Sequence, residues 1–168
     1  MVKKILPWVV FVLLFGLIVI GFALKDNMNN YLSKMMKEQA APEIANSGSA
    51  YVDSTFNYTK NGQGYQVTFL EFGANCPACK RMESVLEEIR TKHPQTVNVV
   101  FLNILKPENQ VLMKYYGIAS IPTQVLLDKD GNEFFRHSGY LSADELKKEF
   151  TLHLQINGDN IIDADYNK

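Results

Sequence analysis

Hydrophobic and polar residues follow one another in blocks along the chain, and these blocks predict its elements. The first block, residues 5–24, is an uncharged apolar run of twenty residues. As a helix it would be about 30 Å long, which matches the hydrocarbon core of a bilayer. Residues 25–50 are polar, with helix formers first and Pro, Asn, Ser and Gly later. We interpret them as a stalk that begins as a short helix and continues as a flexible linker.

Residues 51–154 carry the pattern of a folded domain. Segments rich in β-branched and aromatic residues predict strands at VDSTFNY (52–58), GYQVTFLEF (64–72), TVNVVFLNI (96–104), QVLLD (124–128) and EFFRH (133–137). Helical spacing predicts helices over residues 76–93, 107–116 and 142–154, the last with Ser142 and Glu145 as a capping box. This order predicts an α/β domain of about 100 residues with helices on the faces of a sheet. Residues 155–168 are predicted to form a mobile polar tail.

The apolar run and the short tail before it predict a single membrane span. Residues 1–4 contain Lys3 and Lys4, and the positive-inside rule keeps such a tail in the cytoplasm. The alternative is a cleaved signal peptide, whose apolar region usually spans about 7–15 residues and ends in small residues. The run here is longer and ends in GFALKDN, a poor cleavage site. We therefore expect an uncleaved anchor with the folded domain on the far side of the membrane.

Charge and cysteine content narrow the function further. The net charge is −1 and no basic stripe is present, so we expect no nucleic-acid partner. The chain has two cysteines, Cys76 and Cys79, which are too few for the disulfide framework of a small secreted scaffold. They can form one bond, with each other.

The stretch FLEFGANCPACKRMESVLEEI places this pair where a strand gives way to a helix. Unpaired N–H groups and the positive end of the helix dipole favour a thiolate there, which lowers the pKa of Cys76 below the free value of about 8.5. Cys76 can then attack a partner's disulfide, and Cys79, one helical turn on, can displace the partner. The alternatives are a structural zinc site, for which His93, His137 and His153 show no ligand spacing, and an inert structural disulfide, which would close a loop too short to stabilise much.

A second stretch, KYYGIASIPTQVLL at residues 114–127, gives the chain a close resemblance to the thioredoxin family. In that family an Ile-Pro-Thr at the head of a strand holds a cis proline beside the Cys-x-x-Cys. The resemblance implies a cis bond before Pro122 and a backbone at Ile121 that pairs with a substrate strand next to the sulfurs. It covers residues 55–154 and implies a thioredoxin-like fold, with a central mixed sheet flanked by helices.

The residues around the cysteines depart from the family pattern. The dipeptide between them is Pro77-Ala78 instead of Gly-Pro, and Asn75 replaces the preceding tryptophan. Proline at the first helical turn costs no hydrogen bond. We expect Pro77 and Ala78 to contact the substrate and to tune the redox potential.

The position of the family's buried acid is ambiguous. The loop before the cysteines is one residue shorter than usual, so the family's aspartate falls on Glu71 if the loop absorbs the deletion and on Leu70 if it does not. The lysine that normally lies beside this acid aligns with Phe101. Glu71 is either a proton acceptor for Cys79 or a carboxylate on the solvent side of a strand end.

Together these patterns predict a membrane-anchored thiol–disulfide oxidoreductase of a bacterial cell membrane, single-pass and monomeric, with an extracytoplasmic domain and without cofactor or metal. We expect it to reduce protein disulfides, because residues 79–122 leave room for one strand and one helix, whereas oxidases of the DsbA type insert a helical domain there. Its electrons would come from a membrane transporter of the CcdA or DsbD class. The alternatives are a disulfide-forming oxidase and a redox-inert or copper-handling module on the same fold.

Overall fold

The computed structural model describes residues 2–157 of the chain, without the side chains of residues 2–7, 22, 23, 25 and 26. Its helices are α1 (Val2–Ala23), α2 (Lys25–Glu38), α3 (Pro42–Phe56), α4 (Tyr58–Asn61), α5 (Pro77–Lys92), α6 (Gln110–Tyr115) and α7 (Ala143–Ile156), with a 3-10 turn at Pro107–Asn109. The strands are β1 (Val67–Gly73), β2 (Val97–Asn103), β3 (Thr123–Asp128) and β4 (Glu133–Ser138). Most of the predicted tail, residues 158–168, lies outside the described residues.

The four strands form one mixed sheet in the order β2-β1-β3-β4. β1 runs parallel to β2 and antiparallel to β3, and β3 runs antiparallel to β4. The parallel pair is joined through α5, as a parallel connection requires. The prediction of a mixed sheet flanked by helices is therefore confirmed.

Alternation along β1 divides the core into two layers. Val67 and Phe69 face α5 and α7, where they pack with Met82, Leu86 and Leu146. The alternate residues of β1 turn to the other face, which α3 and α6 cover. There Leu70 and Phe72 pack with Val52, Phe56, Leu112 and Tyr116. Because successive side chains of a strand point to opposite faces, each residue of β1 can be assigned to one layer.

The prediction of a strand at residues 52–58 is wrong, because residues 52–56 end α3, Asn57 caps α4 and Tyr58 begins α4. Pro42 stands in the first turn of α3, and Val52 and Phe56 are 6% and 2% exposed. Residues four apart share a helix face, so both side chains reach the core together. Their helical spacing outweighs the β preference of the individual residues.

The flexible second half of the predicted stalk is also contradicted, since residues 42–50 belong to α3. Gly48 is buried against α6, where a Cβ would lie 2.5 Å from the ring of Tyr115. The absence of a side chain is therefore what allows the two helices to approach. The predicted helix in the first half of the stalk is confirmed as α2.

Helix α2 packs against β4, an edge strand of the sheet. Lys37 Nζ lies 2.8 Å from a carboxylate oxygen of Glu133, and Arg136 donates to the Ser33 hydroxyl at 3.5 Å. Ser33 is 7% exposed. α2 thus limits the access of other strands to this edge.

The described side chains of α1 are exposed all round the helix; Trp8, Phe11 and Leu17 are 70%, 61% and 65% exposed. The predicted tail at residues 1–4 and part of the predicted span at residues 5–24 fall on residues or side chains outside the described set. Among the described residues, we find no helix with the length and apolar character needed to cross a membrane.

Candidate active site

The two cysteines lie at the N-terminus of α5. β1 ends at Gly73, a short loop follows, and Cys76 is the N-cap residue, whose Sγ accepts a hydrogen bond from the Cys79 N–H at 3.0 Å. Pro77 is the first helical residue, where its missing N–H is not needed. Cys76 and Cys79 are joined as a disulfide, with their Cα atoms 5.0 Å apart.

The two sulfurs differ in their access to solvent. Cys76 is half-buried and Pro77 is exposed, while Cys79 is 3% exposed. Cys79 packs against the end of β1, where a Cβ at Gly73 would lie 3.7 Å from the Cys79 Cβ. An external thiol or disulfide can therefore approach the pair from the side of Cys76.

The Ile121–Pro122 bond is cis, as predicted. Thr123, the next residue, pairs with Phe72 near the end of β1, so Pro122 lies at the same edge of the sheet as the cysteines. The Pro122 carbonyl accepts a hydrogen bond from the Gly139 N–H at 2.8 Å, which ties this loop to the end of β4. Ile121 is half-buried beside it.

Glu71 is buried on the sheet face that carries Cys79. It shares this face with Gly73, two residues along β1, whereas Leu70 packs in the opposite layer. The loop has thus absorbed the deletion. Glu71 is 0% exposed, so its interpretation as a carboxylate on the solvent side of a strand end is wrong.

The surroundings of Glu71 favour its neutral form. Burial raises the pKa of Glu71 to about 8, against an opposing contribution from the hydrogen bond that Gln124 Nε2 donates to its Oε2 at 3.0 Å. Its partner on β2 is Phe101, which brings no charge. A carboxyl group with such a pKa can take up or release a proton near neutral pH.

Gln124 is a site residue that was not predicted from the sequence; it is 0% exposed and lies opposite Glu71 on β3. The available signal was a long polar side chain at the start of the apolar run QVLL, directly after Ile-Pro-Thr. The pairing of Arg81 with the ring of Tyr140, 5.8 Å from guanidinium carbon to ring centroid, was not predicted either. Tyr140 adjoins Gly139, which places this pair near the cis-proline loop.

The chain is similar to known proteins over the region that contains these residues. A family model for the thioredoxin-like domain matches residues 52–152. A thioredoxin from Alicyclobacillus acidocaldarius subsp. acidocaldarius is 33% identical over 100 residues, which is 59% of this chain and 92% of the relative.

The chain is also similar to two solved structures. The exposed lipoprotein thioredoxin Etrx1 of Streptococcus pneumoniae is 20% identical, with 55% of this chain and 88% of that chain covered and a TM-score of 0.48. A mutant thioredoxin from Halobacterium salinarum is 27% identical, with 52% of this chain and 74% of that chain covered and a TM-score of 0.46.

Proposed function

This chain belongs to the thioredoxin-like family and is a thiol–disulfide oxidoreductase, and we propose that it reduces disulfides of other proteins on the outer face of a bacterial membrane. The observation that carries the proposal is the asymmetry of the cysteine pair, with Cys76 accessible at the helix N-terminus and Cys79 buried behind it. Each sulfur thereby has a different task.

Cys76 is the nucleophile of the proposed reaction. In the reduced protein its thiolate is stabilised by the Cys79 N–H and by the helix dipole. It attacks one sulfur of the substrate disulfide, and the electron pair of the broken bond leaves on the other substrate sulfur. Cys79 then attacks the mixed disulfide at Cys76, which releases the reduced substrate and forms the Cys76–Cys79 disulfide.

Cys79 must lose a proton before it attacks, and Glu71 is the proposed acceptor. Its carboxyl is buried on the face against which Cys79 packs, and burial raises its pKa to about 8. A base of that strength can take the thiol proton in reduction and return it when the disulfide is opened again.

The substrate is held beside the sulfurs by the cis-proline loop. The Ile121 backbone pairs with an extended substrate segment, while Pro122, Pro77 and Ala78 contact it. At the start of α5, Pro77 is exposed and Ala78 is half-buried. Ile121 is half-buried at the same edge of the sheet.

The direction of electron flow is supported by the connection between the cysteines and the proline. Between α5 and β3 the chain forms β2, a 3-10 turn and α6, and no helical domain is inserted over residues 93–122. This short connection is closer to that of a disulfide-reducing thioredoxin than to that of an oxidase of the DsbA type. The spent disulfide requires reduction in turn, for which we propose a membrane transporter of the CcdA or DsbD class.

Anchoring is proposed from residues 5–24, whose uncharged sequence and exposed side chains along α1 suit a lipid environment. Lys3 and Lys4 favour a cytoplasmic N-terminus. The single-pass protein would then hold its domain outside the membrane and near its electron donor.

Trapping of substrates tests the proposed roles. In cells producing the full chain, Cys79→Ser should accumulate protein partners as mixed disulfides through Cys76, because the resolving thiol is missing. The matched variant Cys76→Ser should trap none, and a double variant controls for unspecific crosslinks. Trapping by Cys76→Ser alone would reverse the two roles, and trapping by neither would contradict the proposed reaction with protein substrates.

A further inference from the structure

Glu71 and Gln124 form a polar pair within the apolar layer between the sheet and α5. At the level of Glu71, the register of the sheet places Phe101 on β2, Gln124 on β3 and His137 on β4. Directly paired residues of neighbouring strands point to the same face, so these side chains form one row. From α5, the buried Cys79 of the disulfide lies on this face, and His137 lies one strand beyond Gln124.

The amide of Gln124 uses both of its donors. Its Nε2 donates to Glu71 Oε2 at 3.0 Å and to the Gly139 carbonyl oxygen at 3.0 Å. A carbonyl can only accept, so the bond to Gly139 fixes which end of the amide faces Glu71. Gly139 in turn donates its N–H to the Pro122 carbonyl at 2.8 Å. Gln124 is thus oriented by the backbone of Gly139, which is itself bonded to the cis-proline loop.

Because Gln124 is oriented in this way, the two carboxyl oxygens of Glu71 have different surroundings. Oε2 of Glu71 accepts from Gln124, while Oε1 is buried without a hydrogen-bond partner among the described residues. An oxygen that accepts an N–H bond keeps its acceptor role, so the exchangeable proton belongs on Oε1.

We propose that Gln124 is a positioning residue for the redox step, which holds Oε2 of Glu71 so that Oε1 exchanges a proton with Cys79. The inference rests on the proposed function of Glu71. In the oxidised protein, a donor thiolate attacks Cys76 Sγ and forms a mixed disulfide. The electron pair of the Cys76–Cys79 bond passes to Cys79 Sγ, which takes the proton from Oε1.

The resulting Glu71 carboxylate keeps its bond from the Gln124 amide. The donor's second thiolate then attacks the mixed disulfide, releases Cys76 as a thiolate and leaves the donor as a disulfide. In substrate reduction the proton moves the opposite way, from the Cys79 thiol to Glu71.

The test is the pH dependence of disulfide opening. Full-chain protein in detergent is reduced with dithiothreitol between pH 6 and 10, and freed thiols are counted after acid quenching and alkylation. Each rate is divided by the thiolate fraction of dithiothreitol at that pH, which removes the titration of the attacking thiol. The normalised rate of the unaltered protein should fall as the pH rises through about 8, when Glu71 loses the proton it donates.

Removing the donor amide of Gln124 should change the pH at which the normalised rate falls. Gln124→Met keeps the length of the side chain but cannot donate, so the Glu71 carboxylate loses a partner and the fall should shift upward by about one pH unit or more. Gln124→Leu serves as a second variant should the first not fold. The matched control is Gln110→Met, since Gln110 bonds to the Ile104 carbonyl on α6's side of the fold and should leave the midpoint in place.

The outcomes separate the two levels of the proposal. A lower rate with an unchanged midpoint in Gln124→Met would overturn the positioning role and leave Glu71 as the acid. Persistence of the fall in Glu71→Gln would instead show that another group supplies the proton, and the proposed role of Glu71 would fail. Loss of the fall in Glu71→Gln together with its upward shift in Gln124→Met supports the inference.

Discussion

At the scale of single residues, the buried carboxyl of Glu71 lowers the stability of the fold when it ionises, and it is also the proposed proton acceptor of the reaction. Its ionised form would be a fully buried carboxylate, 0% exposed, with a hydrogen bond from one amide donor. The folded protein therefore prefers the neutral acid, and the pKa rises from 4.5 to about 8. A raised folded pKa means that stability is greatest below the unfolded value and decreases as the pH rises through the folded one.

Glu71→Gln should remove this pH dependence. For the oxidised protein, the free energy of unfolding should decrease between pH 4.5 and about 8, the window between the two pKa values, by on the order of 1.4 kcal/mol per pH unit from this group. The variant lacks the titrating group, so it should gain stability relative to the parent as the pH rises. Urea unfolding at pH 5 and pH 9 measures the difference.

Glu87→Gln, which changes an exposed carboxylate on α5, is the control for this measurement. A constant difference between parent and Glu71→Gln across the two pH values would contradict a protonated buried Glu71.

The residues of the site differ in how far the sequence could reveal them. Cys76, Cys79 and Pro122 carry signals within a few positions, because a Cys-x-x-Cys at a helix start and an Ile-Pro-Thr at a strand start are local patterns. The position of Glu71 could be assigned only from the structure, since the single-residue deletion before the cysteines leaves open which face of β1 carries the buried acid. Gln124 was missed because its role exists only through the pairing of β3 with β1.

At the scale of elements, α3 shows why the start of the domain was predicted wrongly. Its later residues include β-branched and aromatic types that permit a strand, while Pro42 in the first turn and the four-residue spacing of Val52 and Phe56 favour α-helix. Its close approach to α6 at Gly48 depends on a contact with Tyr115, distant in sequence. By contrast, β1, β2 and α5 follow from apolar runs and periodicity alone.

Gly48→Ala tests this docking by the sign of its effect. In an isolated helix the change would stabilise by up to about 1 kcal/mol. Here the added methyl would lie 2.5 Å from ring carbons of Tyr115 and 2.6 Å from its Cβ, which cannot swing away freely. Overpacking costs about 1–3 kcal/mol, so we expect net destabilisation in urea unfolding.

Ser49→Ala, at the exposed neighbouring position, is the matched control and should have little effect. Stabilisation by Gly48→Ala would indicate that α3 is not packed on α6.

The start of α7 offers a second test at this scale. The Ser142 hydroxyl accepts from the Glu145 N–H at 3.3 Å, and the Glu145 carboxylate accepts from the Ser142 N–H at 2.9 Å, which confirms the predicted capping box. Ser142→Ala should lower the free energy of unfolding by about 1 kcal/mol. Ser84→Ala on α5, whose hydroxyl bonds only within its own helix, should change it far less; equal effects would show that the cap contributes nothing.

At the scale of the whole molecule, we propose that a membrane segment is joined to the redox domain. From Lys3 and Lys4 we expect the N-terminus to stay in the cytoplasm. A reporter enzyme that works only outside the cytoplasm should therefore be active when it is fused after Lys168. Fractionation of the same cells should find the full-length protein in the membrane. A shortened soluble form in the extracytoplasmic fraction would mean that residues 5–24 are a cleaved signal peptide.

The reduction potential of the Cys76–Cys79 pair decides whether the protein reduces disulfides or forms them. The full-length protein is equilibrated with glutathione redox buffers, and its oxidised fraction is read by thiol alkylation. We predict a potential near thioredoxin's, roughly −270 mV, at which the pair gives electrons to substrate disulfides. A potential near that of DsbA, roughly −120 mV, would contradict it and identify a disulfide-forming oxidase.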